Sequence, residues 1–279
     1  MIKSYCKINL SLRVLKRLKS GLHDIQTNTF LLNLYDEISI KKTRGKKNII
    51  IFNGKFKKLI NISKNSISAT ISILKKEKLL KKENFYEIKV KKNIPVFSGL
   101  GGGTSNAYYL MQNLLKKKLK VGTKIFFLDK IGTDLILFKN KQTFQKSLRK
   151  VKKYKKNFYF YFLLVYPYLK CSSKYAYSKV KKYSNFKKFD FSKNMSDDMF
   201  VRLIKKQQND LQSIITKRYK PINKIITSLS FLDGCLISRM TGSGSVCFGM
   251  FKSQKLAKLG LKNIKKKFPK YWCEVTKTI

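Results

Sequence analysis

The chain has 279 residues and carries 63 Lys and Arg against 14 Asp and Glu, a formal charge of +49 on an ordinary 43% hydrophobic composition. That length can bury its own core without staples, and no apolar run approaches the roughly 20 residues a membrane helix needs. Five scattered cysteines without a C-x-x-C pair argue against a disulfide framework and against zinc, and one histidine, His23, excludes a histidine-based metal cluster. The expected state of the thiols is reduced and mostly buried. Ile8 to Leu12 is too short and too polar for the apolar core of a signal peptide, so a cytoplasmic location is expected, with no membrane partner.

The charge admits two readings. One is a basic RNA-binding protein that neutralises phosphates. The other is compositional: Lys accompanies abundant Ile, Asn, Phe and Tyr, while Gly, Pro and Trp are scarce, as in an AT-rich coding sequence. RNA-binding stretches interleave Arg, Gly and aromatics, whereas this excess is Lys spread along the whole chain. No specific nucleic acid is therefore expected, although the charge still steers anionic ligands.

Taken in order, β-like runs at Ile8 to Val14 and Thr27 to Asn33 flank a turn at Ser20-Gly21. Asn48 to Leu59 reads as a hairpin around Asn53-Gly54. Ile67, Ile71, Ile73 and Leu74 predict a helix over Ser66 to Leu80, and the alternation of Tyr86, Ile88 and Val90 predicts a strand over Phe85 to Lys92. A glycine-rich loop follows, then a helix from about Asn106 to Lys118 and a helix–strand step over Thr123 to Phe138. The basic stretch Lys139 to Lys156 reads as the boundary between domains at 1–150 and 151–279. Beyond it come an aromatic strand, Phe158 to Tyr166, and a helix around Tyr175 to Lys182. A long helix starts at Ser196, with Asp197 and Asp198 in its first turn, and another starts at Pro221. A strand at Cys235 to Ile237, a turn at Gly242 to Gly244 and a helix from Ser253 lead to a last strand, Tyr271 to Val275, which can return to the first domain. Strands and helices mix without a βαβ rhythm, so the expected class is α+β in two halves.

The loop Gly99-Leu100-Gly101-Gly102-Gly103-Thr104-Ser105 has the clearest chemistry. Its glycines reach positive φ at little cost and expose backbone N–H groups. Such a nest, leading into a helix with Thr104 or Ser105 as cap, binds anions. It is neither a Walker A loop nor a Rossmann fingerprint. A plain tight turn is the bland alternative. Read alone, Asp134 before the apolar run Leu135 to Phe138 is either functional or a cap. Lys7 is one lysine among many, and His23 and Tyr177 are as easily structural. Gly242-Ser243-Gly244 is as easily a hairpin turn.

Pro95-Val96-Phe97-Ser98-Gly99-Leu100-Gly101-Gly102-Gly103-Thr104-Ser105-Asn106-Ala107 resembles the phosphate-loop motif of the GHMP kinases. Five other stretches fall in the order found in that family. Cys6-Lys7-Ile8-Asn9-Leu10 resembles A-K-I-N-L, and Ser20 to Thr27 resembles D-G-Y-H-E-L-x-T. Ile131-Gly132-Thr133-Asp134 resembles L-G-A-D. Asn209-Asp210-Leu211 and Met240 to Gly244 resemble N-D-L and M-S-G-S-G. The resemblance spans nearly the whole chain.

It implies an N-terminal ribosomal-protein-S5-like domain carrying the ATP loop and a C-terminal ferredoxin-like domain. It also implies transfer of the γ-phosphoryl of ATP, accompanied by Mg²⁺, to the 2-hydroxyl of a cytidine diphosphate derivative of methylerythritol. Another GHMP acceptor alcohol is the alternative. By the resemblance, Asp134 is the general base and Lys7 its cationic partner. Pro95 to Ser105 bind ATP, and Asn9, His23, Tyr177, Gly242 and Ser243 bind the acceptor. No protein metal ligands are implied; Mg²⁺ is held by the nucleotide and water, with a loop hydroxyl. Some positions depart from the pattern. Leu22 stands where the family has a cytosine-stacking Tyr, Thr133 and Ile136 replace the residues usual around the Asp, and Phe97-Ser98 reduce the glycine content of the loop.

Overall fold

A computed structural model describes residues 1–115, 130–189 and 194–279. The chain forms two compact units that interleave in sequence. One holds Met1–Cys6, Leu34–Val96 and Gly101–Lys139; the other holds Lys7–Asn33, Phe97–Leu100 and Asn140–Ile279. Strands β1 (Ile2–Arg17) and β2 (His23–Thr43) each contribute residues to both.

In the first unit, Glu37–Thr43 of β2 pairs antiparallel with β4 (Phe85–Lys91), and β4 pairs parallel with β3 (Ile49–Asn53). The expected hairpin at Asn53-Gly54 is therefore absent. Gly54 turns the chain at φ +86, but the partner of Ile49–Asn53 is β4, because the pairing is settled by a strand more than thirty residues away. Helix α1 (Ser66–Lys76) starts on a capping box: Asn65 Oδ1 accepts from Ile67 and Ser68 N–H while the Ser68 hydroxyl accepts from Asn65 N–H. Its apolar face meets that of α2 (Gly102–Leu115) over a buried cluster that includes Ile67, Ile71, Leu74, Ile88, Val90, Leu110 and Met111.

Asp36 is fully buried in this unit and pairs with Lys92, itself 3% exposed. Its other oxygen accepts from the backbone N–H groups of Asn93 (2.8 Å) and Ile94 (2.9 Å). One carboxylate thus fixes the segment that runs into the glycine loop.

In the second unit, Thr27–Phe30 of β2 pairs with β5 (Gln142–Ser147), and β5 with β6 (Lys150–Lys153). Most of the basic stretch expected to be a polar boundary is thus a hairpin. Thr143 and Phe144 are buried against it, and a lysine-rich strand needs only alternate apolar or small residues once a partner strand exists. A separate antiparallel sheet has the order β10 (Trp272–Lys277), β7 (Tyr161–Tyr166), β9 (Cys247–Phe251), β8 (Ile237–Met240). The last strand exists as expected and lies along β7 in antiparallel register.

The helices of this unit are α3 (Ser173–Ser178), α4 (Asp197–Lys205), α5 (Gln212–Arg218), α6 (Lys220–Ser230) and α7 (Gln254–Lys267). Ser196 and Ser253 cap α4 and α7 by accepting from Met199 and Leu256 N–H, and Pro221 lies in the first turn of α6. Phe158 and Phe200 stack at 4.1 Å beside Phe30 in the core. Cys6, Cys171, Cys247 and Cys273 are buried reduced thiols and Cys235 is half-buried. Burial pushes the Cys171 thiol up to about 11, so it is inert as a nucleophile.

Candidate functional site

The glycine loop is shared between the units: Phe97–Leu100 belongs to the second and Gly101 onwards to the first. In the first unit, α2 begins at Gly102, and the first intrahelical bond runs from Ser105 N–H to Gly101 O at 2.9 Å. The N–H groups of Gly102, Gly103 and Thr104 precede it and form the helix N-terminus, the geometry that receives an anion. Neither Thr104 nor Ser105 is the cap that the sequence suggested, because the glycine run itself takes up the start of the helix. Ser105 is fully buried, and its hydroxyl donates to Tyr5 O and meets Ser4 Oγ at 2.8 Å. Pro95 is buried and Val96 half-buried just before the loop. A Cβ placed on Gly102 would lie 3.0 Å from Ile94 Cγ2, so a larger residue would have to displace Ile94 for the helix start to close onto the segment held by Asp36.

Two further features of this unit border the helix start. A Cβ on Gly132 would stand 3.5 Å from Thr104 Oγ1, which places the Gly132-Thr133-Asp134 turn beside the first turn of α2. Asp134, half-buried, lies at the start of a 3-10 helix, Thr133–Lys139, opened by Leu135 N–H to Gly132 O. The apolar run after Asp134 was expected to be a strand. Leu135 packs with Ala107, Leu110 and Met111 of α2, and a four-residue apolar run serves a helical turn as well as a strand. On the other side, a Cβ on Gly103 would lie 3.6 Å from Ser66 Oγ. Ser66 borders an open groove of about 580 Å³ together with Ser63, Asn65, Ser68, Lys130 and Ile131. Sequence reasoning missed this groove. Its only signal was the small polar run Asn61-Ile62-Ser63-Lys64-Asn65-Ser66 ahead of the α1 helix.

The second unit gathers four separately read segments at one point. Lys7 is 3% exposed, and its Nζ donates to Asn9 Oδ1 and, at 2.9 Å, to Gly99 O. Gly242 closes the same spot: a Cβ there would lie 3.1 Å from Asn9 Oδ1, 3.2 Å from Gly99 O and 3.4 Å from Lys7 Nζ. Gly99 has φ +80, and a Cβ on it would approach Thr241 O to 2.3 Å, so the loop tolerates no side chain there. Backbone bonds lock the arrangement: Lys7 N–H to Leu100 O (3.0 Å) and Val246 N–H to Ser98 O (3.0 Å). Asn9 N–H donates to Thr241 Oγ1 (2.8 Å), and Asn209 Nδ2 donates to Met240 O and Gly242 O. The Asn-Asp-Leu motif is therefore a clamp on the Gly242 turn. Ser243 Oγ meets Ser173 Oγ at 2.7 Å. Phe97 holds φ +56 and is exposed, with Lys170 Nζ 5.9 Å from its ring centroid. A bulky residue in that region marks a backbone course imposed by its surroundings.

His23, also in this unit, is stacked on Tyr177 of α3 at 5.1 Å between ring centroids and 25° between planes. Burial, and after it the nearby Arg17 guanidinium, hold the imidazole below its ordinary range. It is therefore neutral at pH 7, with one ring nitrogen donating and the other accepting. Among the described residues, no group of three or more His, Cys, Asp or Glu side chains is placed to hold a metal, and no helix is long and apolar enough to cross a membrane.

The sequence profile described as GHMP kinases C terminal matches residues 192–270. A 4-diphosphocytidyl-2-C-methyl-D-erythritol kinase of Pelagibacter ubique (strain HTCC1062) is 38% identical over 283 residues, covering 100% of this chain and 98% of its own. A solved 4-(cytidine 5'-diphospho)-2C-methyl-D-erythritol kinase shares the fold with a TM-score of 0.73 at 18% identity, over 100% of this chain and 99% of its own. Homoserine kinase from Cytophaga hutchinsonii shares it with a TM-score of 0.62 at 18% identity, over 100% and 96%. The mixed α+β architecture of those kinases, the helix-opening glycine loop and an end-to-end match at 38% identity have one reading: this chain belongs to the GHMP kinase family and is a phosphotransferase.

Proposed function

We propose that the protein phosphorylates the 2-hydroxyl of 4-diphosphocytidyl-2-C-methyl-D-erythritol at the expense of ATP, a step of non-mevalonate isoprenoid synthesis. The observation that carries this reading is the convergence of Lys7, Asn9, Gly99 and Gly242 at one buried point. Bound ATP supplies the transferable phosphoryl group, and Mg²⁺ offsets the charge of its terminal oxygens. The N–H groups of Gly102, Gly103 and Thr104 suit the phosphates, and the groove beside Ser66 suits the nucleoside end. No carboxylate cage stands among the described residues, so the ion fits a site made by the nucleotide, water and a loop hydroxyl, with Thr104 the one that faces the Asp134 turn.

Asp134 takes the proton from the acceptor hydroxyl as general base. Lys7 keeps a positive charge at the loop and stabilises negative charge building up on the transferred group. Asn9, whose Nδ2 also donates to Thr27 Oγ1 at 2.8 Å, orients the acceptor. His23 reads the cytosine edge, with Tyr177 beside it and the Gly242-Ser243 turn closing over the acceptor.

An ADP-release assay with a panel of acceptors tests the assignment. The diphosphocytidyl substrate is expected to be preferred over mevalonate and homoserine. Preference for an acceptor without a cytidine overturns the specific reading and leaves the family intact.

The neutral imidazole makes a pH prediction. Protonation converts the accepting nitrogen into a donor and removes one contact to the base. The KM for the cytidyl acceptor is expected to be flat from pH 8 to pH 7. It should rise only below the ordinary histidine value of 6.5, because the folded-state value is depressed. The His23→Gln variant should lose that pH dependence while keeping the KM for ATP.

A further inference from the structure

Residues 181–189 form no helix or strand, yet buried polar side chains pin them across the first two strands of the second unit. Ser184 N–H donates to Val14 O at 2.8 Å. The Ser184 hydroxyl donates at 2.7 Å to Asp210 Oδ2, which also accepts Val14 N–H at 2.8 Å. Arg13, 8% exposed, donates to Asn185 O. Gln26, 1% exposed, holds Lys187 from both sides, its amide donating to Lys187 O at 2.9 Å and accepting Lys187 N–H at 3.0 Å. A segment secured at Ser184, Asn185 and Lys187 is a strap of fixed course, and Tyr183 directly precedes the first of these points.

That course brings the Tyr183 ring to 6.4 Å from the His23 ring, with 39° between planes, and leaves it 45% exposed. Leu22, the neighbour of His23, is exposed and aliphatic, so it offers no π-face. A planar base hydrogen-bonded to the edge of an imidazole tends to lie near the imidazole plane. Planes at 25° and 39° to that ring leave both tyrosine faces nearer parallel than perpendicular to such a base, the orientation that offset stacking needs. The hydroxyl tip of an exposed tyrosine stays in water while its ring covers the base.

We propose that Tyr183 is the second aromatic wall of the base site, opposite in role to Tyr177, and that the strap exists to deliver it. It would substitute for the aromatic missing at Leu22 and would set specificity for a planar pyrimidine nucleotide. The inference rests on the cytidyl reading of the acceptor.

Tyr183→Ala, Tyr183→Leu and Tyr183→Phe test it, read by acceptor kinetics and by calorimetric titration with CDP. Loss of a stacking face is expected to raise the KM for the cytidyl acceptor, and the CDP dissociation constant, about tenfold in the Ala and Leu variants. The KM for ATP and kcat should hold, and Phe should restore wild-type values. Unchanged CDP affinity in Tyr183→Ala overturns the wall even where the enzyme turns over the cytidyl acceptor normally. An equal loss of ATP affinity, or failure of Phe to rescue, assigns Tyr183 to the fold and overturns it too. Wild-type protein that neither binds CDP nor phosphorylates a cytidyl acceptor sinks the functional reading first and this inference with it. Wild-type protein that binds CDP but prefers another acceptor sinks the functional reading alone, and CDP binding by the variants still decides the wall.

Discussion

Asp134→Asn is expected to lower kcat by about 10²–10⁴, with both KM values and the melting temperature near wild type. Asparagine keeps the size and one acceptor oxygen of the side chain but cannot take a proton. The surroundings favour a clean result. Asp134 is half-buried at the first turn of the 3-10 helix, a turn that Leu135 in the core and the Leu135 N–H to Gly132 O bond help to anchor. The check is ADP release with saturating substrates, alongside a thermal melt. Full activity in the Asn variant removes Asp134 as the base; a fall in kcat together with a large drop in melting temperature points to a structural role.

Lys7→Met should act on both rate and stability. Its ammonium is buried and donates to Gly99 O and Asn9 Oδ1. A methionine of similar length leaves two acceptors short of a donor, a cost of about 1–3 kcal/mol for an unsatisfied buried group. Removing the charge at the loop is expected to reduce kcat by about 10²–10³, the scale of losing one stabilising donor in a dry site. Lys7→Arg should not rescue, because the ammonium is buried between Asn9 Oδ1 and Gly99 O, and a planar guanidinium needs more room. Denaturant titration and steady-state kinetics on the two variants separate the effects. Stability restored by Arg without activity would show that charge alone holds the fold there.

The loop and the helix after it were legible because glycine at successive positions has few other uses, and φ values of +80 at Gly99 and +70 at Gly101 bear that out. Lys7 was legible only by pattern. In a chain with 63 basic residues, nothing local distinguishes Lys7 and Lys92, the lysines buried among the described residues, from the exposed ones. What failed were the readings that needed a distant partner. Ile49–Asn53 pairs with β4 although a turn dipeptide follows it, and the lysines of 141–153 lie on a hairpin because Thr27–Phe30 offers it an edge. Asp134 was placed at the mouth of a strand because Leu-Ile-Leu-Phe suits strand and helical turn equally, and packing against α2 decides between them. Tyr183 was invisible for a different reason: its position depends on Arg13, Gln26 and Asp210, whose side chains all bind an irregular segment far along the chain.

The Asp36 carboxylate has a thermodynamic consequence for ligand binding. By holding Lys92, Asn93 and Ile94 before any anion arrives, it removes from the binding event the entropy of ordering the approach to the loop. Polyphosphate affinity then reflects contacts made, with little subtracted for rearrangement. On this account the start of α2 meets an anion with its approach already ordered.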